Sequence, residues 1–325
     1  MNRFKNILCI VDSELKDNVA LEHAVKLAEN NQATLTVVEV LEKLSLDLKL
    51  IDFIDSSKDI QANIIAMHQE RLEKLVAPFN KNIEIQTKVL IGIPFLEIIR
   101  EVLRNEHDLL IKTAENGELI DRVFGSDDMH LLRKCPCPIW LVKSDSPKRY
   151  QRILAAVDVD DFYPPEELNT RYLLNLHILE MASSLALLES ADLHVVHVWD
   201  AIGESIINLV THDTPENKVA AYVEKVRQQY EGNLDELMRE LTSNIGQDAL
   251  NFIRPLRHLI KGHPRKEIPL FTEKIEADLV IMGTVARTGI SGIFMGNTAE
   301  SILNQLKCSV LAIKPPGFET PVSLD

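Results

Sequence analysis

Cysteine is scarce: the 325-residue chain holds four, Cys9, Cys135, Cys137 and Cys308. So few, so irregularly spaced, cannot form a disulfide framework in a chain this long, and a reducing compartment is the expectation. Basic residues are also in deficit, 35 Lys and Arg against 49 Asp and Glu, which leaves a net charge of −14. No basic stripe is present to follow a phosphate backbone, which argues against a general nucleic-acid binder. Long apolar runs are missing as well. The first one, Ile7 to Val11, is cut off by Asp12 and is too short for a secretory h-region or a membrane span. The expectation is a soluble cytoplasmic protein without membrane or nucleic-acid partners. What remains is ordinary globular composition, 46% hydrophobic and 26% charged, long enough for two domains at roughly 100–200 residues each.

The chain repeats itself. Ile7-Leu8-Cys9-Ile10-Val11-Asp12 recurs as Ile153-Leu154-Ala155-Ala156-Val157-Asp158, an offset of 146. Leu35 to Val40 recurs as Leu193 to Val198 at 158, and Gly92-Ile93-Pro94 as Gly262-His263-Pro264 at 170. Phe124-Gly125-Ser126 answers to Met295-Gly296-Asn297, and Cys137 to Lys143 answers to Cys308 to Lys314, both at 171. Order is kept while the offset grows, so two copies of one fold stand in tandem, the second enlarged by insertions. The reading places a first domain at 1–144, a polar linker at 145–150 and a second domain at 151–325.

Within the first copy, strands are expected near 6–12, 33–41, 83–90, 108–112 and 138–143, with helices near 17–30, 57–78 and 94–105. Short apolar runs with helices between them indicate parallel strands buried on both faces. The fold class is α/β, two doubly wound domains of five parallel strands each, with ligands expected at the carboxyl ends of the strands. The last strands, Ile139 to Lys143 and Val310 to Lys314, would be bare apolar edges. The first insertion carries a helix from about Glu167 to Ser190 that is apolar nearly all round, either a buried helix or the wall of an apolar pocket. The second, near 214–244, is dense in mixed charge and reads as a solvated helix.

After the fourth strand of the second copy comes a glycine-rich stretch, Gly283 to Glu300. Glycines let backbone N–H groups approach phosphate oxygens, and the following helix start favours anions. Asn297 with Glu300 fits a capping box, so an ordinary well-capped turn is the competing reading. No Lys follows the glycines as in a Walker loop, and no G-x-G-x-x-G is present.

Taken together, the repeated Val-Asp strand end, the Leu-x-Val-Val-x-Val strand, the Gly-x-Pro and this loop resemble the universal stress protein family, over essentially the whole chain. Nucleotide-binding members carry Gly, two residues, Gly, nine residues, then Gly with Ser or Thr. The second copy reads Gly283, Ala286, Gly296 and Asn297, departing at two of the four positions. The resemblance implies that Asp158 and the backbone of Val198 meet an adenine, and that the loop, with Arg287 and Thr298, holds ribose and phosphates of ATP or AMP. It also implies that the two copies pair internally as a pseudo-dimer. In the first copy the aligned positions are Lys112 and Glu115, with Gly125-Ser126 retained and Asp127 and Asp128 following. Carboxylates there repel a phosphate, so this copy is not expected to bind ATP.

Tempting chemistry elsewhere is weak. Cys135 and Cys137 are spaced C-x-C and read as buried thiols. His194 and His197 point to opposite faces of a strand, His177, His212, His258 and His263 are scattered, and no metal site is expected. No nucleophile–base set stands out. The leading function is therefore nucleotide binding or sensing in a stress response. The alternatives are an interaction scaffold or apolar-ligand carrier and, third, a weak ATPase.

Overall fold

The structure, a computed structural model, describes residues 4–14, 18–42, 57–80, 83–115, 124–204, 207, 216–284 and 295–324. It divides into two compact units, Met1–Lys148 with Glu319–Asp325, and Arg149–Phe318. The break lies inside the expected linker. Residues 319–325 belong with the first unit, where the sequence reading had run the second domain to 325; the Arg100 Nε–H donates to the Ser323 carbonyl at 3.3 Å.

The first unit runs β1 (Asn6–Ile10), α1 (Val19–Asn31), β2 (Thr34–Leu41), α2 (Ser57–Val76), β3 (Ile85–Ile91), α3 (Pro94–Asn105), β4 (Leu109–Thr113), α4 (Ser126–Lys134) and β5 (Ile139–Val142). Its strands are all parallel, in the order β3-β2-β1-β4-β5. The second unit runs β6 (Arg152–Ala156), α5 (Pro165–Glu189), β7 (Asp192–Trp199), α6 (Glu216–Ile245), α7 (Gln247–Ile253), β8 (Leu256–Lys261), α8 (Pro264–Lys274), β9 (Leu279–Gly283), α9 (Asn297–Leu303) and β10 (Ser309–Ile313). Its order is β8-β7-β6-β9-β10, again all parallel. The inner strands are buried along nearly their whole length, as helices on both faces require.

The Gly-x-Pro repeat has a backbone cause. Gly92 and Gly262 have φ of +153° and +148°, and a Cβ at either would meet the Cγ of Glu97 or Glu267 at 2.7 Å. Only glycine accommodates both the dihedral and the overlying side chain. Pro94 and Pro264 then open α3 and α8 at a position where no N–H is needed.

The first insertion is a three-turn extension. The helices α1 and α5 end alike, on left-handed Gln32 and Ser190, both at φ 52°, but α5 has 25 residues and α1 has 13. The extra 12 residues lengthen the start of α5, which packs on β6, β7 and β9 and against α6 and α7. The second insertion corrects an expectation. Although α6 carries dense charge, it buries Tyr230, Leu234, Leu237, Met238 and Leu241. Their spacing of four, three, one and three makes one apolar stripe, so the helix is amphipathic and not simply solvated.

Candidate functional site

Strand order reverses between β1 and β4 in the first unit and between β6 and β9 in the second. The crevice beyond the carboxyl ends of these pairs is where doubly wound sheets hold ligands. Asp12 and Asp158 stand at its mouth, one from each copy.

In the second unit β6 ends at Ala156, and the Val157 N–H donates to the Val196 carbonyl at 3.0 Å. On the far side of β7, the Gly262 N–H donates to the Trp199 carbonyl at 2.8 Å. The alternation of a parallel ladder therefore turns the backbone N–H and C=O of Val198 toward β6, past that strand's last residue. Val198 thus borders the crevice with its backbone while its side chain is buried.

Asp158 lies beside it, but its carboxylate is already engaged. Oδ2 accepts the Tyr163 hydroxyl at 2.9 Å and Arg171 Nη1 at 3.1 Å. Oδ1 accepts the Asp160 N–H at 3.3 Å, fixing the turn. Arg171 also pairs with Glu167 at 3.3 Å and lies 3.3 Å over the Tyr163 ring. Its side chain is 11% exposed and that of Asp158 45%. The lengthened start of α5 is tied down in the same place, because Asn175 exchanges two hydrogen bonds with the Asp158 backbone, at 3.0 and 2.6 Å. Burial, followed by the field of Asp158, pushes the Tyr163 phenol well above its ordinary range, so it stays a donor.

The opposite wall is the end of β9 and the start of α9. Gly283 is covered by α5, since a Cβ there would meet Leu174 Cδ2 at 2.7 Å. Among the described residues nothing covers Gly296: the nearest of their atoms to a Cβ built on it is the Thr284 carbonyl oxygen at 4.0 Å. That same carbonyl accepts the Gly296 N–H at 3.0 Å. The Gly296 carbonyl accepts the first bond of α9, from the Glu300 N–H at 3.0 Å, so Gly296, not Asn297, is the N-cap, Asn297 and Thr298 lie inside the first turn, and the expected Asn297 cap is not formed. The Thr284 hydroxyl is buried and has no hydrogen-bond partner among the described residues. Ala286 and Arg287 lie outside the described residues.

The first unit fills the corresponding place with its own charges. Lys112 Nζ is buried between Glu115 Oε1 at 2.7 Å and Asp128 Oδ1 at 2.9 Å, and the Glu115 N–H donates to Asp128 Oδ2 at 2.7 Å. The Glu115 side chain lies against Gly125, with its carboxylate 2.3 Å from where a Cβ would stand. Burial works to lower the Lys112 ammonium, but the two carboxylates more than offset it and the net direction is upward. Burial also raises Asp128 against the pull of Lys112. Here too the helix is capped by the glycine, Gly125, and Ser126 is its first residue.

Sheet register corrects the alignment of the two copies. Ile7 pairs with Leu109, and Ile153 with Leu279; Thr113 pairs with Val142, and Gly283 with Ile313. Thr113 therefore stands where Gly283 does, and Lys112 where Met282 does, one residue away from the match read off the sequence. The length difference sits in the loop after β4 and β9, where no strand constrains it.

Sequence reasoning missed Tyr163, Arg171, Asn175 and Thr284. The first three lie in the inserted segment, where the repeat offers nothing to compare. Among the described residues no group of three or more His, Cys, Asp or Glu side chains is arranged to hold a metal. Cys135 and Cys137 are buried and not disulfide-bonded, with their sulfurs 3.6 Å apart, and their mutual hydrogen bond and burial push the Cys137 thiol up. No described helix is long and apolar enough to cross a membrane.

Fold and crevice together define a tandem doubly wound α/β protein with one crevice filled by ion pairs and one with an open glycine wall. Comparison with known proteins names the class further. The family model for the universal stress protein family matches residues 3–143 and 149–314, and the chain belongs to that family. It is similar to universal stress protein E of Escherichia coli K12, with 30% identity over 328 residues covering 100% of this chain and 98% of the relative. It is also similar to the universal stress protein E homolog of Haemophilus influenzae, with 31% identity over 320 residues covering 96% and 98%. Among solved structures, a universal stress protein of Archaeoglobus fulgidus shares the fold at a TM-score of 0.55 and 16% identity, covering 95% of this chain and 98% of that one.

Proposed function

We propose that this protein serves in a stress response, with its second domain binding or sensing an adenine nucleotide, ATP or AMP, in the β6/β9 crevice while the first domain acts as scaffold. One observation carries the reading: Gly296 presents backbone that no described residue covers, beside a buried Thr284 hydroxyl lacking a partner among the described residues. The same place in the first domain is closed by Lys112, Glu115 and Asp128. Phosphate oxygens would approach the Gly296 and Asn297 backbone with Thr298 nearby, and the adenine would lie against Val198 and Asp158. The chain's own residues then bind and orient; among the described residues no nucleophile–base pair stands at this wall, and ATP turnover is the third reading.

The test exploits the dihedrals of Gly296, φ −59° and ψ 135°, which any residue adopts. Gly296→Gln should fold as the parent does while placing a side chain in the phosphate space. Isothermal titration of the full chain with ATP should show one site, lost in G296Q. No heat from the parent protein, or equal binding by both, overturns the proposal. A scaffold or apolar-carrier role is favoured by a different observation, the exposed Phe162 and Leu173 on the α5 arm. It takes precedence if nucleotide fails to bind.

A further inference from the structure

Away from the crevice, on the β7–β8 face, two histidines far apart in the sequence come together. His194 lies on β7 and His258 on the edge strand β8, where His194 pairs with Leu256 and Val196 with His258. The two are thus diagonal neighbours on one face. His194 Nδ1 and His258 Nε2 are 3.1 Å apart, and the rings are nearly coplanar, 9° between planes and 5.2 Å between centroids. This is an edge-to-edge contact sharing one proton, not a stack. The Phe271 ring walls the pair at 4.6 Å from His258 and 6.3 Å from His194. Both histidines are only half-buried, so solvent reaches them.

The first domain shows what this position holds when it is only structural. There Thr36 and Lys88 occupy the two strand positions, and Glu101 stands where Phe271 does. Lys88 Nζ bonds both Glu101 oxygens, at 3.0 and 2.7 Å. In the second domain His258 and Phe271 replace that ion pair and His194 replaces Thr36, and the facing nitrogens of the two imidazoles meet each other.

We propose that His194 and His258 form a two-imidazole site for a borderline divalent cation of the zinc type, with water completing the coordination. A tetrahedral centre with bonds of about 2.0–2.1 Å holds its nitrogens roughly 3.3–3.4 Å apart, so the observed separation needs only a small opening and a modest turn of each ring. The cation takes the place of the shared proton, which leaves to solvent. Zinc binds neutral imidazole, and burial lowers the protonation of both rings, Arg152 adding to it for His194 and Lys274 for His258. Asp192, two residues before His194 on the same face of β7, acts in the opposite sense on that ring. It supplies a carboxylate on the approach side, and the net charge of −14 favours cation accumulation.

The test uses the full chain stripped with EDTA and titrated with Zn2+ alone by calorimetry. One equivalent should bind, and His194→Gln and His258→Gln should each abolish that isotherm while leaving the melting temperature in EDTA unchanged. A second measurement needs no variant: long-range 1H–15N spectra of the parent protein should show the His194 Nδ1 and His258 Nε2 resonances shifting on zinc addition. 113Cd spectroscopy separates this site from the thiols, a nitrogen–oxygen shift being expected. Absence of binding, binding that survives in the double variant, unmoved imidazole resonances or a sulfur-type cadmium shift each overturn the proposal and leave a plain N–H···N pair.

Discussion

The two domains share strand order, helix ends and the Gly-x-Pro turns, and differ in how each satisfies the polar positions around its crevice. In the first, the described charged side chains there close on one another. Lys112 is held by Glu115 and Asp128. Glu39, buried at the middle of β2, accepts the Ser13 N–H at 3.0 Å and hydroxyl at 2.9 Å and faces His68 at 3.1 Å. In the second, the position of Lys112 is Met282, that of Asp128 is Ala299, and that of Glu39 is His197. The His197 Nδ1 lies 3.4 Å from the Val159 N and 3.3 Å from the Val157 carbonyl, and its ring packs 5.0 Å from Tyr230. At the wall formed by β4 and α4 the first copy places paired charges, whereas the matching β9 and α9 wall of the second carries Met282 and Ala299, and its charges, Asp158, Arg171 and Glu167, pair on the opposite side, which is the condition for a ligand to bring its own charge to the β9 and α9 wall.

The largest break in this contrast comes from Asp128→Ala. Removing one partner leaves a buried ammonium with the half-exposed Glu115 as its one remaining carboxylate beside the Thr113 carbonyl at 3.3 Å, a loss of about 3–5 kcal/mol, read as a lower denaturant midpoint for the first domain's transition. Adding Lys112→Met to that variant recreates the Met282 and Ala299 pairing of the second domain and should recover most of the loss. A double variant no more stable than Asp128→Ala alone would show that the two crevices do not share a packing.

Much of this was legible from residues alone. The repeat offsets, the order of strands and helices, and the glycine at each Gly-x-Pro follow from local patterns that backbone geometry enforces. What escaped depended on partners far apart or on a register without markers. Lys112 was matched to Gly283 because β4 is apolar and carries nothing to show a one-residue shift, which the loop absorbs and only the pairing of Thr113 with Val142 reveals. The face of α6 was hidden because its charges outnumber the five residues that bury it. Arg171 was invisible because its partner lies thirteen residues back, across a segment without a counterpart in the first copy. Of the proposed nucleotide site, Gly296, Asn297, Thr298, Asp158 and Val198 are brought to one crevice, Gly283 is covered by Leu174, and the two loop residues Ala286 and Arg287 lie outside the described residues.

A second break concerns Glu39. Glu39→Ala leaves the Ser13 N–H and hydroxyl without their acceptor in a buried setting, at a cost of about 1–3 kcal/mol, again read in the first domain's transition. Glu39→Gln retains an acceptor and should cost less. The contrast sharpens in the other domain with Arg171→Ala. This substitution frees Asp158 Oδ2 from its ion pair, and ATP titration of the full chain should show affinity raised about tenfold, equivalent to about 1.4 kcal/mol. Unchanged or weaker affinity in a variant that still binds would mean that Asp158 does not face the base.

The smallest effect separates the domains by pH. Burial, opposed by Asp158, lowers the affinity of His197 for a proton below its ordinary value of 6.5, while the unfolded chain takes up that proton near pH 6.5. Between the two values the unfolded state binds more protons, so stability rises with pH through this window and falls on acidification. The slope from one such group is at most about 1.4 kcal/mol per pH unit. His197→Gln removes it, and the second domain's denaturant midpoint should then vary less between pH 7 and 5 than in the parent protein. The first domain has Glu39 at this position, so its acid response should be untouched by the substitution. An equal flattening in both transitions would show that the titration belongs to the chain as a whole and not to the neutral lining of one crevice.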